Sequence, residues 1–244
     1  LARKKRQLDA FLFVHKPILN KQIPHLPYCG TKGVVVMTTR QHFKIHVILL
    51  IIVLIVFIWS VIKPSSYLDW LAEVSPGIVA ITVVVCIYHK FRFTTFSYII
   101  IALLSILTFI GGHYTYSEVP LFNWIKEEFH LQRNHYDRFG HFLKGLLAIV
   151  IREILIRKTP LVKGAWLTGI TISILLAIAA FYEIIEWLST RISKGSKGAK
   201  DFLGMQGDRW DAQWDMFLAL LGTILTLLLF TKLHDKFLKK LNKS

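Results

Sequence analysis

Two cysteines in 244 residues, Cys29 and Cys86, are too few and too far apart for a disulfide framework or a thiolate metal site. Internal repeats and long low-complexity linkers are missing as well, which leaves a single domain as the economical organisation. No HExxH, no repeated HxxxH or HxxHH histidine box and no GxSxG is present, so the familiar zinc-protease, histidine-box and serine-hydrolase signatures are excluded. Acidic residues are scarce, fifteen against thirty Lys and Arg, for a net charge of +15. Charge of that sign suits nucleic acid, but its placement does not. Nine basic residues precede Ile45 and five lie from Lys232 onward, with no aromatic-interleaved basic surface on a soluble module; nucleic acid is not an expected partner.

What the chain has in quantity is apolar sequence, 54% hydrophobic residues with a mean hydropathy of +0.50. A bilayer crossing takes about 20 apolar residues, and runs of that kind cover 45–62, 72–89, 93–112, 138–156, 165–188 and 212–231. The runs are continuous rather than alternating, so the expected fold is all-α, a polytopic membrane protein of about six transmembrane helices in contact with the lipid bilayer. The N-tail, the 90–92 turn, the 157–163 loop and the C-tail together hold nineteen Lys and Arg, more than the opposite loops, which places both termini in the cytoplasm of a multi-pass bacterial inner-membrane protein.

Residues 1–36 form a basic extension without the layout of a cleavable signal. Met37 opens MTTRQHFKIHVILL, which resembles a bacterial membrane-protein start, so 37–244 is taken as the transmembrane domain and 1–36 as an over-extended reading frame. An intact mass of the natively expressed protein corresponding to a start at Leu1 would rule this out. Between spans three and four, Leu121, Trp124, Ile125 and Phe129 recur at helical spacing opposite Lys126, Glu127 and Glu128, the pattern of a short interfacial helix. The Gly-, Lys- and Ser-rich stretch 190–207 is expected to be a lid.

Because successive spans run in opposite directions, the ends of spans three and five share a membrane face with the beginnings of four and six. That face collects His113 and Glu118; His135, Asp137 and His141; Glu183 and Glu186; and Asp208, Asp211 and Asp215. The three aspartates are spaced three and four apart and share one side of their helix, as do Asp137, His141 and Lys144, with Arg152 returning to nearly the same side deeper in the span. Carboxylates within a span cost about 2.5–3.5 kcal/mol each at mid-helix and persist when paired, solvated or metal-bound.

Three readings follow. In the first, an outward-facing polar pocket binds or processes an amphiphilic, lipid-linked ligand: Asp137, His141, Glu183, Glu186, Asp211 and Asp215 carry the chemistry, while His113, Glu118, His135, Arg138, Lys144, Arg152 and Asp208 bind. A divalent metal, with His141, Asp211 and Asp215 as candidate ligands, belongs to this reading. In the second, the chain is an envelope scaffold: Asp208 and Asp211 cap a helix, Glu153 and Arg157 make an ordinary helical pair, and Tyr182, Trp187, Trp210 and Trp214 form the aromatic belt. In the third, Glu183 and Glu186 serve a small transporter or proton-coupled channel. Whether the protein is an enzyme stays open.

GGHYTYSEVP, NHYDRFGHFLKG, REIL, FYEIIEW and GDRWDAQWDMFLALLG, in this order after Met37, resemble the YjdF family of bacterial inner-membrane proteins of unknown function. More distantly, DRFGHF, an acidic span end and an Asp-bearing last helix look like the VanZ-like membrane family. That resemblance implies a motif carried by Asp137, Arg138 and His141, by Glu183 or Glu186, and by Asp211 or Asp215; the family's Asn is replaced by Leu218 or Ala219.

Overall fold

A computed structural model describes residues 32–192 and 206–241, with side chains placed at 41–189, 191 and 206–241. The chain divides into two units, Leu1–Val35 and Val36–Ser244; the account below concerns the second. Most of the expected lid lies outside the described residues, and so does Cys29.

The described residues are helical and contain no strand. The elements are α1 (Lys32–Val61), α2 (Tyr67–Ile87), α3 (Thr95–Tyr114), a 3₁₀ turn (Tyr116–Glu118), α4 (Pro120–Glu128), α5 (Tyr136–Lys144), α6 (Leu147–Lys158), α7 (Ala165–Ile192) and α8 (Asp211–Leu241). Five of them, α1, α2, α3, α7 and α8, are long and apolar enough to cross a membrane by themselves. Ser66 and Thr94 cap α2 and α3 by accepting from the backbone N–H three residues on. Pro76 lies inside α2 without ending it, as transmembrane helices tolerate. Helix α4 starts on Pro120 and leaves Leu121, Trp124 and Phe129 exposed, the apolar side of the expected interfacial helix.

The expected fourth span is corrected in one respect: it is not one helix but a tandem of nine and twelve residues. Tyr136 donates its hydroxyl to Leu107 O near the end of α3, whereas Glu153 accepts from Thr94 and Ser97 at its start. The tandem therefore runs antiparallel to α3 along its length and makes the sixth crossing. At the joint the backbone tightens to i→i+3 hydrogen bonds, Gly145 N–H to Phe142 O at 3.2 Å and Leu146 N–H to Leu143 O at 2.9 Å. The cause is a close approach of α5 and α8. A Cβ on Gly145 would lie 2.3 Å from the carbonyl carbon of Gly222, and one on Gly222 would lie 2.0 Å from Phe142 O.

Apolar burial does little to hold helices together in lipid, because the surroundings are as apolar as the side chains; close packing and interhelical hydrogen bonds carry the association. Val53, Val74, Ala102 and Phe109 pack α1, α2 and α3. Ala148, Leu175 and Leu227 join α6, α7 and α8. Outside, Trp166, Phe181, Leu228 and Leu229 are largely exposed, as lipid-facing residues should be.

Polar clamps secure both ends. On one face, Asn134 N–H donates to Gln206 Oε1 at 2.8 Å and Gln206 Nε2 returns a bond to Asn134 O at 2.9 Å, joining the approaches to α5 and α8. On the other, fully buried Glu153 accepts from Thr94 N–H and Oγ1 (both 2.8 Å), Ser97 Oγ (2.6 Å) and Arg157 (2.7 Å). The Glu153–Arg157 helical pair exists, but it is one strut of a junction between α3, α6 and α8. His234 lies 3.4 Å from Glu153, while Arg152 reaches His234 at 2.9 Å and Asp235 at 2.9 Å.

Candidate functional site: a buried carboxylate and histidine cluster

The site begins with two arginines. Arg133, in the loop before α5, is buried and holds Asp211 through both terminal nitrogens. Arg138 binds Asp208 at 2.5 Å and Asp211 at 3.3 Å, and its guanidinium lies over the Trp214 ring. Asp208 also accepts from Trp210 N–H at 2.9 Å; that bond and Arg138 hold its carboxyl below the ordinary 3.8. Burial and the charges of Arg138 and Arg133 push His135, at this mouth, below its usual pKa. Asp208 thus ties the approach to α8, and both Asp208 and Asp211 pair with arginine.

Beneath this layer lies a different arrangement. Asp137 and His141 sit one turn apart on α5, 3.6 Å from Oδ1 to Nε2, and Asp215 approaches from α8, so that one donor atom from each falls within 4.8 Å of the others. All three are buried. From α7, Glu183 Oε1 lies 3.7 Å from His141 Nδ1. Buried Glu186, one turn on, follows on the same helix. Lys144 Nζ stands 2.8 Å from His141 Nε2 and 4.4 Å from the Tyr182 ring centre. A lysine ammonium only donates, so in this contact Nε2 is placed to accept. Among the described residues no hydrogen bond reaches Asp215 Oδ1, Glu183 Oε1 or His141 Nδ1. Glu183 Oε1 and His141 Nδ1 are nonetheless within ion-pair distance of each other, which leaves Asp215 Oδ1 as the buried oxygen of the cluster without a hydrogen bond among the described residues.

The structure separates several residues that the sequence groups. Arg152 is not beneath this cluster but at the opposite face with His234 and Asp235. It follows Lys144 by eight residues, about 12 Å along a helix axis, more than a third of a hydrocarbon core about 30 Å thick. His113 turns toward α1, its Nδ1 3.2 Å from Ser60 O and its ring against Trp59. Gly111 faces Tyr116 and Tyr136, and two residues on is about 200° around the helix. Glu118 accepts from Asn123, which accepts in turn from Asn134, so it braces the rim. Asp211, a candidate metal ligand by sequence, is engaged by two arginines, and Asp137 takes its place beside His141 and Asp215. Tyr182, grouped with the belt, covers Lys144.

Sequence reasoning missed Arg133, Asn134, Gln206 and Glu73. Glu73 of α2 is buried, accepts from Tyr116 N–H at 3.3 Å, and leaves Oε2 without a hydrogen bond among the described residues. A carboxylate inside an apolar span is itself a signal, and Glu73 was legible on that ground. Arg133 and Gln206 were not, because their partners are more than seventy residues away.

Five long apolar helices, a tandem sixth crossing and a buried ionisable cluster define a polytopic α-helical membrane protein. Residues 45–236 match the family described as "Predicted membrane protein (DUF2238)", and the chain belongs to that family. It is 38% identical over 187 residues to "Inner membrane protein YjdF" of Escherichia coli (strain K12), covering 76% of this chain and 88% of that protein. These comparisons bear on the YjdF resemblance and not on the VanZ-like one. No solved structure matches.

Proposed function

We propose that the protein is a cation-dependent inner-membrane protein in which Asp137, His141 and Asp215 hold a divalent metal ion that receives the polar head group of an amphiphile from the outer leaflet. The observation that carries this reading is the convergence of those three buried donors, with Asp215 Oδ1 reached by no hydrogen bond among the described residues. Two carboxylate oxygens and an imidazole suit zinc or manganese, and three protein ligands leave coordination positions for a substrate oxygen. Glu183 would orient the imidazole through Nδ1–H, the usual arrangement behind a ligating histidine. Exposed Leu121, Trp124 and Phe129 support an approach along the bilayer surface. The charge imbalance between loops supports the outward orientation, with both termini in the cytoplasm.

Lys144 Nζ now occupies the position at Nε2 that a metal would take. That contact favours a second reading, a scaffold whose carboxylates are neutralised internally, and it supplies the test. In detergent, after exposure to zinc or manganese and removal of excess, elemental analysis should find near-stoichiometric metal in the wild type. Asp137→Asn/Asp215→Asn should lose it, and Lys144→Met should bind more tightly because no ammonium competes. Absence of metal from both the wild type and Lys144→Met, with monodisperse size-exclusion profiles, would overturn the metal reading in favour of the scaffold.

A further inference from the structure

The opposite membrane face carries a second built site that this reading does not use. An apolar cavity of about 220 Å³ runs between α1, α2 and α3, lined by residues such as Leu50, Val53, Ile81, Val84 and Ile101. Phe43, Val47 and Val85 on its wall are exposed, so it opens sideways to the bilayer. His46 lines it at one end. The same His46 lines a smaller adjoining cavity of about 40 Å³, whose other walls include His42, Arg92, Thr95 and Lys240. The two spaces join greasy groove to basic mouth through one shared side chain.

The mouth is organised rather than a chance meeting of long side chains. His46 is buried, with Nδ1 3.0 Å from Tyr88 Oη and Nε2 3.0 Å from Thr95 Oγ1. The Thr95 hydroxyl also meets His42 Nδ1 at 3.0 Å. Arg92 lies over the Tyr88 ring. Phe96 stacks on Phe237, closing the α3–α8 side with ring centres 5.5 Å apart. Lys44, Lys90, Lys158, Lys163 and Lys239 surround this face, and its acids are engaged: Glu153 by Arg157, Thr94 and Ser97, and Asp235 by Arg152 and Lys163. A groove of hydrocarbon depth ending in a mouth of cations and hydroxyls complements one kind of molecule.

We propose that this double cavity is a binding site for an anionic phospholipid, one acyl chain lying between α1, α2 and α3 and the phosphate at the mouth formed by His42, Arg92, Thr95 and Lys240. The loop-charge imbalance supports a cytoplasmic-leaflet position for this face, where anionic lipids attract basic segments and interhelical basic pockets hold their head groups. The site would tie α1 and α2 to the α3–α8 pair through a lipid.

Native mass spectrometry of the full chain tests this, with equimolar phosphatidylglycerol and phosphatidylcholine added to the detergent-purified protein. The expected result is retained phosphatidylglycerol at one equivalent, preferred at least about fivefold, the worth of one cation near an anionic surface. Arg92→Ala/Lys240→Ala should abolish the preference without loss of helicity. Val47→Trp, which fills the groove from its lipid side and leaves the mouth intact, should abolish retention of both lipids. Equal retention of the two lipids by the wild type would overturn the proposal and leave only annular lipid. Displacement of phosphatidylglycerol by millimolar inorganic phosphate would also overturn it, leaving an anion site without a lipid chain.

Discussion

Gly222→Ala and Gly145→Ala should each abolish accumulation of folded protein in the membrane, whereas Gly140→Ala, five residues before Gly145, should be neutral. The added methyl at Gly222 would sit 2.0 Å from Phe142 O, and at Gly145 2.3 and 2.4 Å from backbone atoms of Gly222 and Thr223. Overpacking a core usually costs about 1–3 kcal/mol because side chains rotate away. Here the obstructing atoms are backbone, so relief requires the helices to separate. That separation would pull Asp137 and His141 on α5 from Asp215 on α8, so metal retention should fall with stability. At Gly140 nothing lies within 4 Å of the added atom, which makes it the matched control. Fluorescence-detected size-exclusion of tagged variants measures the outcome. Wild-type behaviour in Gly222→Ala would show that α5 and α8 are farther apart than described.

Glu153→Ala should lower the midpoint of thermal unfolding more than any other single carboxylate replacement in the protein. The side chain is fully buried and accepts from the start of α3, from Ser97 and from Arg157. Removing one partner of a buried ion pair costs about 3–5 kcal/mol, because the remaining charge and donors stay desolvated. Arg157 is partly exposed and can turn outward, but Thr94 N–H and the Ser97 hydroxyl cannot. Glu153→Gln should recover part of the loss, since its carbonyl still accepts. Glu128→Ala, on the exposed end of α4, should change stability by no more than about 0.5 kcal/mol. Thermal unfolding in one detergent ranks the four proteins, and equal midpoints for Glu153→Ala and Glu128→Ala would contradict the junction.

Both expectations concern contacts that periodicity could not show. An i, i+4 spacing told that Glu153 and Arg157 share a side of their helix, and they do, at 2.7 Å. It could not tell that this side lies against Thr94 and Ser97, because spacing gives angles about a helix's own axis and leaves the rotation of that axis toward its neighbours open. The same limit explains the acidic stripe on α8. Asp208 lies ahead of α8, which begins at Asp211; Arg138 and Arg133 engage Asp208 and Asp211, while Asp215, one turn into the helix, turns to Asp137 and His141. A difference of one helical turn separates an arginine-paired carboxylate from the cluster. Arg152 shows the limit in depth: angle placed it with Lys144, and eight residues of rise put it with Asp235.

By itself, the sequence determined that this is an all-α membrane protein, roughly where its crossings fall and which ends of them are acidic. Those properties follow from the local hydropathy of stretches of about 20 residues and from the alternation of direction that a bilayer imposes. Tertiary structure alone decided which cation meets which carboxylate, where the fourth crossing breaks, and which buried donors come together. Ion pairing and backbone contact are settled over fractions of an ångström between residues distant in the chain. In a lipid solvent that does not itself press helices together, those contacts select the arrangement.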